Sequence, residues 1–255
     1  MNERETRRTF FTVAGAGALL VACRRGGHAE PDPASASAAP PTTHASEPAT
    51  GGDEDQEPEV TATEDLMREH GVIRRVLVVY REAAMRLRSK GASVPPEALQ
   101  NAARLIRTFG EDYHEKQLEE ANIFPALTKS GGALAGTVAT LIAQHQRGRE
   151  ITEYILAVTQ KAIGAQTAEP LAATLEAFAR MYEEHAAVED TIVFPAWKKR
   201  LSPKELDAAG DRFEDIEHKT FGKDGFDDAV DRIAAIERMM HIDPAGLTAP
   251  PPPKP

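Results

Sequence analysis

The stretch DYHEKQLEEANIFP at residues 112–125 occurs a second time, with variations, as YEEHAAVEDTIVFP at residues 182–195. Each copy contains a histidine, a glutamate about one helical turn later, and a Phe-Pro pair of the kind that ends a helix. The first copy has one residue more between its histidine and its glutamate. The equivalent residues are His114, Glu119 and Phe124-Pro125 in the first copy and His185, Glu189 and Phe194-Pro195 in the second. The repeat predicts two helices that bring the same groups to one place.

The spacing within each copy decides which carboxylate faces the same way as the histidine. On a regular α-helix, His185 and Glu189 are about 40° apart, so both side chains can reach one ion. His114 and Glu119 are about 140° apart and would diverge. Counted back from Phe-Pro, the two glutamates are equivalent, so a single wide turn, a π-bulge, would absorb the extra residue. The alternative is that Glu115 or Leu118 faces inward and Glu119 is solvated, with Glu115 as a substitute or additional ligand.

Outward from these copies, the chain from Thr61 onward has helical periodicity and no pattern typical of strands. Thr61 and Glu64 can form a capping box at the first helix, and Ser202 and Glu205 mark the start of the last one. Short connections between long helices imply antiparallel neighbours. We therefore predict an all-α fold: an up-down-up-down four-helix bundle with an added C-terminal helix, interrupted near residues 222–225. The predicted helices are residues 61–90, 95–125, 133–163, 170–195 and 202–240.

Each of the four bundle helices carries one histidine on its apolar stripe. A single buried imidazole that hydrogen-bonds to a neighbour is an ordinary core feature. Four in one core, together with two inward carboxylates, are more simply satisfied by a shared metal centre, because buried charges and unpaired polar groups are costly. Six such groups from four helices suit two divalent ions bridged by the carboxylates. The predicted ligands are His70, His114, Glu119, His145, His185 and Glu189.

This order of histidines and His-to-Glu pairs resembles that of hemerythrin-like cation-binding domains, and the resemblance covers about residues 61–195. It implies a centre of two non-haem iron ions with oxo or hydroxo bridges and carboxylate bridges. It also implies that the protein binds or senses dioxygen, peroxide, nitric oxide or iron. Imidazole and carboxylate ligands also suit manganese and zinc. The resemblance favours iron over these two metals.

The third helix departs from the pattern of the oxygen-carrying hemerythrins, which have a second histidine four residues after the first. Here that position holds Arg149, whose guanidinium cannot be a ligand. One ion should therefore lose an imidazole, which weakens the expectation of reversible oxygen carriage but not that of metal binding. Glu115, Glu150 or His218 could complete the shell. For His218, packing or a hydrogen bond to a ligand is the alternative role.

A ferritin-like di-iron oxidase or peroxidase is the competing class, and it needs Glu-x-x-His on two helices. Glu111 and His114 match this spacing, but Tyr182 stands at the corresponding position before His185. We therefore expect a binding or sensing protein rather than an enzyme, while an open coordination shell would still permit slow peroxide chemistry. A bundle that uses metal only as a structural staple, or that stores iron, is the third possibility.

The N-terminal 23 residues, MNERETRRTFFTVAGAGALLVAC, resemble a twin-arginine export signal that ends in a lipobox. The pair Arg7-Arg8 carries the first resemblance and the segment Leu20 to Cys23 carries the second, with Cys23 as the lipidated residue. Residues 24–60 are rich in Pro, Ala, Ser, Thr and acidic residues, which is typical of a disordered tether. We therefore expect residues 61–200 to form the bundle, 201–241 a helical extension and 242–255 a Pro-rich tail, on an exported protein anchored to a membrane by lipid alone.

The charge argues against nucleic-acid binding, and the cysteine content argues against a cysteine-based metal site. The 255 residues carry a formal net charge of -10, and the basic residues of the first 25 positions leave the remainder still more acidic. Without a basic stripe, such a domain is not expected to bind nucleic acid. Cys23 is the single cysteine, so any metal in the folded part must be held by histidine and carboxylate. The expected partner is a small diatomic molecule or peroxide.

Overall fold

A computed structural model describes residues 60–89, 93–129, 131–244 and 246–253. They belong to one compact unit that spans Val60–Pro255. The predicted export signal, the lipidation site Cys23 and nearly all of the predicted tether lie outside the described residues. Within the described ranges every regular element is a helix, which confirms the all-α prediction. No helix in these ranges has both the length and the apolar character needed to cross a membrane.

The described residues form six helical rods, α1 to α6. The second rod, α2, covers residues 96–128 and has three consecutive segments: Pro96–Leu105 is α-helical, Ile106–Ile123 is a π-helix, and Phe124–Thr128 is α-helical again. The fourth rod, α4, covers residues 165–198 in the same way, with segments Ala165–Val188, Glu189–Val193 and Phe194–Lys198. The others are α1 Ala62–Arg88, α3 Ala133–Val158, α5 Pro203–Phe221 and α6 Gly225–Met239.

Two of the predicted helix starts are confirmed by their caps. The Thr61 hydroxyl accepts from the backbone N–H of Glu64 while the Glu64 carboxylate accepts from the N–H of Thr61, and Ser202 and Glu205 repeat the arrangement at α5. Each box satisfies two backbone donors that have no partner within the helix. At the other end of α5, Gly222 has φ 68°, a left-handed conformation that ends a helix at little cost only for glycine. The C-terminal extension is therefore two helices rather than one interrupted helix.

Two predicted boundaries are wrong. Helix α4 begins at Ala165, five residues before the predicted start at Pro170, which lies inside the helix near its N-terminal end. Proline is a reliable start signal only when no earlier residue can begin the helix, and here Gly164 provides the extended N-cap backbone. Helix α3 ends at Val158 rather than Ile163.

The prediction that the Phe-Pro pairs end their helices is wrong. Both helices continue, and each pair marks the return from π-helical to α-helical hydrogen bonding. The backbone N–H of Phe124 donates to the carbonyl of Glu119, and that of Phe194 donates to the carbonyl of Glu189, each five residues back. The proline that follows has no N–H to donate. The hydrogen-bond spacing can therefore change from five residues to four at a position where no bond has to be broken.

The four long helices surround one core, which also contains the histidines. Helix α1 packs along α4, α3 lies beside both α2 and α4, and α1 also contacts α2, so each long helix has two long neighbours. The extension packs on α1 and α2, and the stacked rings of Trp197 and Phe213, 5.8 Å apart, fasten α5 to the end of α4. Tyr80 and Phe178 meet edge to face in the core between α1 and α4.

Candidate metal centre

Four histidines, one from each long helix, are buried together in the core, with at most 3% of the surface of each residue exposed. Their Nε2 atoms face one another in two pairs: His70 with His114, and His145 with His185, each at 3.1 Å. The first pair joins α1 to α2 and the second joins α3 to α4. The four imidazoles predicted from the sequence thus come together as two facing pairs.

Two fully buried carboxylates lie between the pairs. Glu119 places Oε1 3.5 Å from His114 Nε2 and Oε2 3.4 Å from His145 Nε2. Glu189 places Oε2 3.4 Å from His70 Nε2 and 3.0 Å from His185 Nε2. Each carboxylate therefore reaches both imidazole pairs, the position that a bridge between two ions requires.

The donor set fits metal cations. Among the described residues, none forms a hydrogen bond with any of the four carboxylate oxygens of Glu119 and Glu189, although all four are buried. Buried carboxylates without compensation are strongly destabilising. Two nitrogen ligands about 2.1 Å from one ion and at right angles to each other would be about 3.0 Å apart, close to the observed spacing within each pair. Imidazole and carboxylate donors suit iron, manganese or zinc.

The outer nitrogen of every imidazole is hydrogen-bonded to an oxygen on another helix. Carboxylate and amide oxygens can only accept, so each Nδ1–H is the donor and each Nε2 keeps its lone pair directed inward. The tautomer needed for metal binding is therefore fixed at all four rings. The four contacts are His70 to Asp190 at 2.7 Å, His114 to Glu69 at 2.5 Å, His145 to Glu120 at 2.8 Å and His185 to Gln144 at 2.9 Å.

The repeated stretch now has a structural explanation. Each copy has two adjacent acidic residues shortly before Phe-Pro. The first of the two faces the centre, the second accepts a hydrogen bond from the histidine of a neighbouring helix that has no copy of the stretch, and the phenylalanine stacks on that same histidine. Phe124 stacks on His145 with ring centroids 5.7 Å apart, and Phe194 stacks on His70 at 5.5 Å. The three residues of the first copy that lie against His145 are Glu119, Glu120 and Phe124. The three of the second copy that lie against His70 are Glu189, Asp190 and Phe194.

A wide turn between His114 and Glu119 was predicted, and the structure has one that is much longer than a single bulge. The π-helical bonding extends over Ile106–Ile123, so residues five apart become neighbours along the helix. The second copy also has a π-helical segment, which the regular spacing of His185 and Glu189 did not suggest. Both segments contain the inward carboxylate and end at the residue before Phe-Pro.

The structure distinguishes between Glu119 and Glu115. Glu115 is buried, but its Oε1 accepts from the Tyr182 hydroxyl at 2.6 Å and its Oε2 accepts from Arg149 at 3.0 Å. The nearest imidazole atom to it is the outer nitrogen of His145, 3.9 Å away. Glu115 and Glu120 cluster with His145, but the Arg149 guanidinium already binds both carboxylates. The structure thus gives Glu119 the central position.

The other two candidates for completing the shell lie away from the centre. Glu150 is exposed and forms a surface ion pair with Arg147 at 2.5 Å. His218 is exposed on α5, with Nδ1 3.1 Å from the backbone carbonyl oxygen of Glu214. The structure brings neither side chain to the other six groups.

The electrostatics of the site call for positive charge between the two carboxylates. Burial by itself would raise the pKa of Glu119, but the imidazoles of His114 and His145 hold it well below its ordinary value. Burial lowers the pKa of His145, yet the charge of Glu115, the nearby carboxylate of Glu119 and the hydrogen bond to Glu120 outweigh it and raise this pKa to about 10. Either protons or metal ions must therefore supply the charge that these carboxylates require.

Sequence reasoning missed the four acceptors of the outer nitrogens. A signal was present: Glu69 and Gln144 directly precede the two lone histidines, and Glu120 and Asp190 directly follow the two inward glutamates. Each acceptor serves a histidine on a different helix, so the pairing is visible only in three dimensions.

Gly148 of α3 leaves the room that the Tyr182 hydroxyl occupies. A Cβ added at Gly148 would lie 2.1 Å from that oxygen. We expect Gly148→Ala to destabilise the protein by about 1–3 kcal/mol, because overpacking displaces Tyr182 and its bond to Glu115. The matched control is Gly136→Ala on the same helix, where nothing lies within 4 Å. It should stabilise by up to about 1 kcal/mol. Denaturant unfolding measures both, and equal effects would contradict the packing described.

The comparisons with known proteins agree with this geometry. The family profile described as hemerythrin HHE cation binding domain matches residues 61–197. An uncharacterized protein of Mycobacterium tuberculosis and one of Mycobacterium bovis are each 45% identical over 190 residues, which is 74% of this chain and 73% of theirs. No solved structure matches significantly. The matched region contains all six clustered histidine and glutamate side chains, and the chain belongs to the hemerythrin HHE cation-binding family.

Proposed function

We propose that the centre holds two non-haem iron ions and that the protein binds or senses a small ligand, namely dioxygen, peroxide or nitric oxide, or senses iron itself. The helices would run up-down-up-down around the ions. One observation carries the proposal: four buried carboxylate oxygens that have no hydrogen-bond partner among the described residues face four inward Nε2 atoms. The ligands would be His70, His114, Glu119, His145, His185 and Glu189. Manganese or zinc would suit the same donors less specifically.

The protein's own residues would hold and shield the ions. Bound iron would supply one-electron redox chemistry and coordination positions that a small ligand can occupy. The acceptors on the outer nitrogens keep each imidazole in the metal-binding tautomer. Phe124 and Phe194 cover two of the rings and limit the entry of water. Arg149 stands where a further imidazole would be expected in an oxygen carrier, so one ion would be held by fewer imidazoles and would be more open to small ligands.

Optical spectroscopy of the iron-loaded full chain tests the proposal. Under nitrogen, the addition of dioxygen or of one equivalent of hydrogen peroxide should change the visible absorption. A band that appears with dioxygen and disappears on its removal would support carriage. Steady consumption of excess peroxide would instead favour the second candidate, a peroxidase-type enzyme. A spectrum unchanged by dioxygen, peroxide and nitric oxide would contradict a ligand-binding role.

We further propose that the twin-arginine signal exports the protein and that lipid on Cys23 anchors it to a membrane. The support is the sequence of residues 1–23, with its Arg-Arg pair and its single cysteine at the end of a lipobox. Cys23→Ser should move the protein from the membrane fraction to the soluble fraction and abolish labelling with a palmitate analogue. A membrane fraction that retains the Cys23→Ser protein in full would contradict the anchor.

A further inference from the structure

We infer that the two metal positions are unlike: the position between His70 and His114 retains its ion, whereas the position between His145 and His185 exchanges its ion with the solution. The inference rests on the proposed function in requiring two ions. The groups that make one position labile are the hydrogen-bond acceptors of the outer Nδ1–H groups, not the metal ligands themselves.

The inner carboxylates do not favour the first position. Glu119 lies 3.5 Å from His114 and 3.4 Å from His145, and Glu189 lies 3.4 Å from His70 and 3.0 Å from His185. Among the described residues Glu119 clusters with both imidazole pairs, whereas Glu189 clusters with His145 and His185 alone. Weaker retention at the second position must therefore come from what holds the rings from behind.

The first difference is in the acceptor of the outer N–H. Behind the first pair, Asp190 and Glu69 are both carboxylates. Behind His185 the acceptor is the amide oxygen of Gln144. A carboxylate acceptor raises the basicity of an imidazole and strengthens it as a metal ligand, whereas a neutral amide does so less. Glu69 and Gln144 occupy the same place in the two halves of the repeat, directly before the lone histidines.

An arginine behind the rings does not separate the two positions, because each pair has one. Glu120 accepts from His145 Nδ1 but also from Arg149 at 2.6 Å, and Asp190 accepts from His70 Nδ1 but also from Arg74, so both charges are shared. The contrast is therefore between Glu69 and Gln144. The hydrogen bonds to Glu69 come from His114 Nδ1 and the Tyr113 hydroxyl, neither of which carries a guanidinium charge.

The second difference is access of water to these two acceptors. Glu69 is 1% exposed, and Phe221 of α5 packs edge-on against Tyr113, its other partner, at 5.1 Å. Gln144 is half-buried. Behind the other two rings, the Asp190 and Glu120 side chains are both partly exposed, at 18% and 27%. The extension packs on α1 and α2, the helices of the first pair. Water therefore reaches Gln144 more readily than Glu69.

Chelator-driven zinc release from the full chain tests the inference. The protein is loaded with zinc chloride, mixed with an excess of a coloured chelator, and the release is followed in time. We expect two phases of equal amplitude, with rates at least about tenfold apart. Gln144→Glu should slow the fast phase by roughly 10–100-fold, and Glu69→Gln should speed the slow phase by a similar factor. The matched control is Gln146→Glu, an identical change at an exposed position two residues away, which should leave both rates unchanged.

The outcomes separate this inference from the proposed function. A chain that takes up fewer than two ions contradicts the proposed function and the inference together. A chain that holds two ions but releases them in one phase, or in two phases that Gln144→Glu does not change, contradicts the inference alone. Because the slower release expected for Gln144→Glu is a gain of retention, impaired folding of the variant cannot imitate it.

Discussion

Replacing His185 with alanine should remove metal and lower thermal stability together. The side chain is buried, its Nε2 faces both His145 and Glu189, and its loss removes one of the two imidazoles beside Glu189 together with the metal that would neutralise this buried carboxylate. Breaking a buried charge pair costs about 3–5 kcal/mol. For a domain of this size that corresponds to a fall in melting temperature of roughly 10 °C. Metal content by elemental analysis and unfolding by calorimetry are measured on the same preparation.

The matched control is His218→Ala, which removes an exposed histidine from α5. This variant should keep its metal content and its melting temperature. If His185→Ala instead retains full metal and full stability, His185 is not a ligand. If it loses stability but keeps its metal, the ring contributes packing alone.

The second large effect is expected for Glu119→Gln. A single carboxylate contacts His114 through one oxygen and His145 through the other, so its neutralisation should weaken both positions at once. We expect metal content to fall well below half of the wild-type value rather than by one ion. Glu115→Gln, four residues earlier and equally buried, removes a carboxylate that is bound by Arg149 and Tyr182. That variant should be less stable but should still hold two ions, and elemental analysis compares the two.

The opposite pattern would reverse the assignment of the two glutamates. If Glu115→Gln loses the metal while Glu119→Gln retains it, the regular-helix alternative is right and the wide turn does not present the ligand. Loss of metal in both variants with normal folding would place both carboxylates in the centre.

The histidines and carboxylates at the centre of the site could be predicted from the spacing of residues in the sequence. Histidines such as His70 and His145 lie on apolar stripes, and a helical stripe must face the core whichever helix packs against it. The capping boxes at Thr61 and Ser202 are equally local, because all their donors and acceptors lie within four residues. Such features are predictable because they depend on neighbours in the sequence.

The remaining features depend on contacts between helices. Proline is a strong local signal, but Pro125, Pro170 and Pro195 all lie within continuous helices, because packing and the preceding π-helical turns favour continuation. The length of the π-helical segment in α2 likewise follows from the need to bury His114 and Glu119 on one face. Tertiary packing outweighs local preference at these positions.

The central claim is that the buried imidazoles and carboxylates meet because metal cations lie between them. The most direct measurement is the metal-to-protein ratio of the full chain, isolated without chelators and analysed for all transition elements. We predict two ions per chain, mainly iron. A chain that is isolated without any transition metal and binds none when ferrous iron is added under nitrogen would contradict the claim.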